Sequence, residues 1–82
     1  MYACCITANM LQKEFQILLG KRIAALRIRK NISQVEFAYL LDKEKQNYNK
    51  IEKGKVNPTA WTLLNIANLL DVPIGELFNW EK

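Results

Sequence analysis

Histidine is absent from this 82-residue chain, and its only two cysteines, Cys4 and Cys5, are neighbours. The first absence removes the usual general base, and no nucleophile–base pair stands in for it, so an enzyme is not expected. Adjacent thiols are poorly placed to bridge one another, and a reducing cytosol opposes a bridge in any case. Two neighbouring thiols also supply too few ligands for a structural zinc ion, and no metal or other cofactor is expected. Long apolar runs are missing too: none exceeds a few residues, far short of the roughly 20 that cross a bilayer. The amino end, MYACCITANM, lacks an early positive charge and its apolar stretch stops at Asn9. That argues against an export signal and for a cytoplasmic protein.

What is present suits a single small folded domain. Half of the residues are hydrophobic, 24% are charged, and no segment is of low complexity, which separates the chain from disordered tails. A chain of this length can form one core with little spare stability. The net charge of +4 conceals a concentration: ten of the twelve lysines and arginines lie between Lys21 and Lys55, with only four acidic residues among them. That window carries +6 and the remainder −2. A concentrated positive field attracts phosphates.

Periodicity places helices and nothing else. Met10, Leu11, Phe15, Ile17, Leu18 and Leu19 form a partial helical stripe, and Met10 could equally begin the translated chain. Gly20 is expected to interrupt. A clearer helix then covers Lys21–Lys30, with Ile23, Ala24, Ala25 and Leu26 on one side, and Asn31 ends it in a left-handed conformation. Ser33-x-x-Glu36 reads as a capping box for a short helix to Leu41, in which Val35, Phe37, Ala38 and Leu41 supply the apolar contacts. Asp42-Lys43 turns the chain into a helix from about Glu44 to Lys53, closed by Gly54. That helix has only Tyr48 and Ile51 as clear inward residues, and its other positions are mostly able to hydrogen-bond. Pro58 is expected at an early position of a fourth helix carrying Leu63, Leu64, Ile66, Ala67 and Leu70. After Asp71-Val72-Pro73, a short final helix over residues 74–79 turns Leu77 and Phe78 inward. The expected fold is all-α, a compact bundle of five short helices with a sixth in front. Residues 1–18 are expected to form a partly helical extension and residues 19–80 the domain.

Leu26-Arg27, Ile32-Ser33-Gln34, Phe37-Ala38, Tyr48, Ile51-Glu52-Lys53-Gly54, Asn57-Pro58 and Leu77-Phe78 together resemble the Cro and phage-repressor type of helix-turn-helix domain, also called the xenobiotic-response-element type. The resemblance extends from about Leu19 to Phe78. It implies a lambda-repressor-like fold and a sequence-specific transcriptional regulator of double-stranded DNA, a repressor of prokaryotic or phage type. It places the base-reading positions on Glu44, Lys45, Gln46 and Lys50, with Asn47 close by. Gln and Lys suit that task, since Gln can bond an adenine edge and Lys can donate to guanine. Glu44 could accept from cytosine or simply favour the helix amino end. The counterpart of Gln34 holds a backbone phosphate, and Lys53, Lys55 and Asn57 are expected as further phosphate contacts. Arg27 and Glu52 are implied to form a partly buried ion pair with a structural role. The family's turn glycine is Asp42 here, which tolerates a left-handed backbone at some cost. Phe78 and Trp80 lie where the family dimerises, so a homodimer is expected, although covering the core would explain them equally. Two other readings stay open: an antitoxin that binds a toxin and its own operon, and a protein–protein adaptor whose basic face is merely solvated or meets an acidic partner.

Overall fold

Gly20 does not interrupt the first helix. The computed structural model describes residues 10–80, and helix α1 runs unbroken over Gln12–Arg29. The expectations for Cys4, Cys5 and the export signal lie outside the described residues. A glycine inside a helix costs about 1 kcal/mol relative to alanine, too little to end one whose buried face continues with Leu19, Ile23 and Leu26. The reason for glycine is tertiary. A Cβ there would stand 2.4 Å from the Glu52 carbonyl oxygen and 2.5 Å from that of Ile51, so the missing side chain lets the end of a later helix press onto α1. The two leading segments read from the sequence are therefore one 18-residue helix.

Helices α2 (Gln34–Leu40), α3 (Lys45–Glu52) and α4 (Ala60–Leu70) follow, and Ile74–Phe78 forms a 3₁₀ helix. Among the described residues there is no strand, and the fold is all-α. Four helices and a 3₁₀ turn thus replace the expected five with a sixth in front.

All four α-helices stop by the same device. Asn31, Asp42, Gly54 and Asp71 have φ of 61°, 60°, 74° and 60°. Each left-handed residue turns the next amide back to a carbonyl five positions earlier: Ile32 to Arg27, Lys43 to Ala38, Lys55 to Lys50 and Val72 to Ala67, over 2.9–3.3 Å. This satisfies carbonyls that the helix end would otherwise leave open.

The starts are capped by hydroxyls where hydroxyls are available. Ser33 Oγ accepts from the Glu36 amide at 3.1 Å, the Ser33 half of the capping box. Thr59 Oγ1 accepts from the Thr62 amide at 3.1 Å, which makes Thr59 the cap of α4. Pro58 therefore stands just before the helix and not within its first turn.

The core gathers Leu19, Ile23 and Leu26 of α1, Phe37 and Ala38 of α2, Tyr48 and Ile51 of α3, and Leu63, Ile66, Ala67 and Leu70 of α4, with Leu77 and Trp80. Val35 is not part of it and is 59% exposed. Two positions before Phe37 is about 200° around a helix, so a seven-residue α2 cannot bury both. Leu64 likewise sits at the exposed edge of α4. At the carboxyl end, Trp80 is buried, packed edge-on against Phe15 (5.8 Å) and Phe78 (6.3 Å), while Phe15 and Phe78 stack at 6.0 Å. Trp61 in the first turn of α4 is 69% exposed. Arg22 fixes the 3₁₀ helix to α1 through a fork onto Glu76, 2.9 Å to its carbonyl and 2.8 Å to its carboxylate.

Candidate nucleic-acid interface

Helix α3 turns two side chains inward, Tyr48 and Ile51, both buried. Tyr48 meets Phe37 of α2 with ring centroids 5.3 Å apart, and buried Ala38 leaves room for that approach. The residues of α3 ahead of Tyr48 point outward. Glu44 is the N-cap residue, in extended conformation and with no cap bond from its side chain. Lys45, Gln46 and Asn47 in the first turn are exposed, as is Lys50 one turn later. Among the described residues the carboxylates pair only with Arg22 and Arg27, so the lysines of this face carry charge without an acidic neighbour at ion-pair distance.

The expected site residues divide into separate surfaces. Glu44, Lys45 and Gln46 project from the amino end of α3. Asn47, Lys50 and Asn57 line one groove beside α3, together with Lys43, Thr59 and Thr62. Lys53 and Lys55 line a second groove on another side, together with Gln12, Lys13 and Gln16 of α1. Lys43 and Lys13 were not among the residues singled out in the sequence. Nothing local marks Lys13, which reaches its groove through tertiary packing, whereas Lys43 directly precedes the cap of α3 and stands four positions before Asn47.

Gln34 lies apart from both grooves, and its amide is engaged within the protein. Its Nε2 donates to Glu52 Oε1 at 2.8 Å and its Oε1 accepts from Asn49 Nδ2 at 3.2 Å. It therefore ties the start of α2 to the last turns of α3. Only one Nε2 hydrogen remains for an outside acceptor.

Glu52 is the hub of this junction. Arg27 Nε donates to Glu52 Oε2 at 2.6 Å and Arg27 Nη2 to Oε1 at 3.2 Å. Arg27 Nη1 also donates to the Ile32 carbonyl at 2.7 Å, and the Tyr48 hydroxyl donates to Glu52 Oε2. The side chains of Arg27 and Glu52 are only 11% and 7% exposed, so the partly buried ion pair implied by the resemblance is present. Burial pushes the Glu52 carboxyl up, but hydrogen bonds from Arg27, Tyr48 and Gln34 outweigh it and hold the carboxyl below its usual range. The bond from Arg27 to Glu52 raises the guanidinium further, against a smaller opposing effect of burial. Burial, then the bond to Glu52, drives the Tyr48 phenol well above its ordinary value. The pair is charged at neutral pH and joins α1, α2 and α3 at one point.

Among the described residues no three histidine, cysteine or carboxylate side chains are grouped to hold a metal ion. No described helix is long and apolar enough to cross a membrane.

Comparison with known proteins points the same way as this geometry. The profile of the HTH_3 helix-turn-helix family matches residues 23–77. Among solved structures, the restriction-modification controller protein C.AhdI from Aeromonas hydrophila superposes with a TM-score of 0.73 at 30% identity, over 77% of this chain and 96% of that one. An HTH_3 family transcriptional regulator from Vibrio cholerae superposes at 0.75 and 26% identity, over 83% of this chain and 38% of that one. Hydroxypropylphosphonic acid epoxidase from S. wedmorenis matches at 0.75 and 22% identity over 35% of its own length, a likeness of fold alone. Among curated proteins, none matches the sequence at a significant level.

Proposed function

The chain belongs to the HTH_3 helix-turn-helix family, and from that premise we propose that it binds double-stranded DNA by sequence and regulates transcription, as a repressor of prokaryotic or phage type. The observation that carries this reading is the build of α3. A helix held from behind by Tyr48, Ile51 and the Glu52 junction presents Lys45, Gln46, Asn47 and Lys50 outward without carboxylate partners. The similarity to a controller protein and to a transcriptional regulator supports the same role.

In this reading the amino half of α3 enters the major groove while α2 crosses the backbone. Lys45, Gln46, Asn47 and Lys50 meet base edges; Glu44 meets them or favours the helix amino end. Gln34, with its remaining amide hydrogen, and Lys53, Lys55 and Asn57 meet phosphates, which set register and affinity without reading sequence. A homodimer would read two half-sites about 34 Å apart, one helical turn of the duplex.

Selection from a pool of random duplexes at near-physiological salt tests the reading. The expected result is a defined, palindromic motif. Recovery of no motif, with only weak and salt-sensitive binding, would overturn sequence-specific regulation and favour an adaptor that uses its basic face on a protein.

A further inference from the structure

The second groove joins parts of the chain that are far apart in sequence. Lys13 comes from the first turn of α1, and Lys53 and Lys55 come from the end of α3 and the turn after it, yet all three line one open groove with Gln12 and Gln16. The groove is built by two contacts. Gln16 Nε2 donates to the Gly54 carbonyl at 3.1 Å, and Gly54 lies so close to Ile17 that an added Cβ would fall 2.7 Å from the Ile17 Cα. The left-handed turn is thus seated directly on α1. No carboxylate lines this groove, and among the described residues none of its three lysines forms an ion pair. The nearby Glu14 turns to its own backbone, accepting from the Leu11 amide at 3.3 Å.

Three lysines held together without a counter-charge repel one another, and an anion placed among them relieves that repulsion. Gln12 Nε2 donates to Gln16 Oε1 at 2.7 Å, so each of the two amides keeps one hydrogen for an outside acceptor, and the open shape suits a chain of phosphates better than an enclosed small anion. We infer that the amino-terminal turns of α1 extend the DNA-contacting surface, with Lys13 acting with Lys53 and Lys55 on the duplex backbone beside the groove that α3 enters. This rests on the DNA-binding reading above and adds a segment to it. The contact is with phosphates, so it contributes affinity and footprint and carries no base preference.

The test uses the full-length protein and a mixed-sequence duplex, with affinity followed as salt is raised. Lys13→Ala and Lys13→Gln are compared with Lys55→Ala and with Lys21→Ala, whose side chain opens on a different groove beside Trp80. Lys13 is exposed, and circular dichroism confirms that each variant folds. Loss of one phosphate contact lowers the slope of log affinity against log salt by about 1. The deficit of the Lys13 variants should therefore shrink about fourfold between roughly 50 and 200 mM salt, as for Lys55→Ala, while Lys21→Ala keeps the parent slope. Lys13 variants that keep the parent slope while Lys55→Ala loses it would overturn the role of α1 and leave DNA binding standing. A parent protein that binds no duplex at any salt would overturn both.

Discussion

Helices α3 and α4 are adjacent in the chain and are held in opposite ways. The eleven residues of α4 bury Leu63, Ile66, Ala67 and Leu70, an apolar stripe at helical spacing. The eight residues of α3 bury only Tyr48 and Ile51. The rest of its attachment is polar or steric: Glu52 bound by Arg27 and Gln34, Asn49 bound to Gln34, and carbonyls pressed against Gly20. A helix that must offer most of its surface to a partner cannot use that surface for the core. The comparison shows what replaces it: directional bonds gathered at one end, plus a backbone contact that glycine alone allows.

Breaking α4 should have the largest effect on stability. Ile66 is fully buried, and Ile66→Ala should lower unfolding stability by about 3–4 kcal/mol, read from urea denaturation. Arg27→Ala attacks the other mode and should cost about 3 kcal/mol at neutral pH, because it strands the Glu52 carboxylate in a nearly dry site. Its pH dependence tells it apart from a packing defect. Glu52 titrates below its usual value of 4.5 in the folded protein, so its contribution is complete above that pH and is lost as pH falls through the lower folded value. The gap between Arg27→Ala and the parent should narrow on acidification, whereas the gap for Ile66→Ala should not follow the Glu52 titration.

Gly20→Ala comes next. The gain in helix propensity is at most about 1 kcal/mol, and the clash with two carbonyls should outweigh it, for a net loss of about 2 kcal/mol. Gly75→Ala, where a Cβ would meet nothing within 4 Å, should stay within about 0.5 kcal/mol of the parent. A stable Gly20→Ala protein would mean that the seat of α3 on α1 is not a constraint. The smallest stability effects belong to the outer face: Gln46→Ala and Lys50→Ala should each fall within about 0.5 kcal/mol of the parent. On DNA they should flatten the preference among sequences by about 1–3 kcal/mol at the position each one reads, measured by competition between duplexes.

The ends of elements were legible in the sequence because their chemistry is local. Asn31, Asp42 and Gly54 each mark a left-handed stop, and Ser33 marks a start. The Arg27–Glu52 pair was reachable only through family resemblance, since the two lie 25 positions apart and nothing between them links one to the other. Gly20 was misread because helix propensity is local while the reason for that glycine is a carbonyl 32 residues away. Val35 was misplaced because a short helix offers too few turns to reveal which face is buried. Lys13 and the double engagement of Gln34 were invisible for the same reason as Gly20: only packing brings their neighbours to them.

The seat at Gly20 gives α3 the mechanics of a cantilever. Its side-chain fastenings fall within residues 48–52, whereas Lys45, Gln46 and Asn47 overhang. Load applied at the tip is transmitted into α1, a rod about 27 Å long by its residue count. Compliance is greatest at the free end and least at the clamp. The ordering cost of docking should therefore fall on the few overhanging side chains, with the rest of the beam already set in its final attitude.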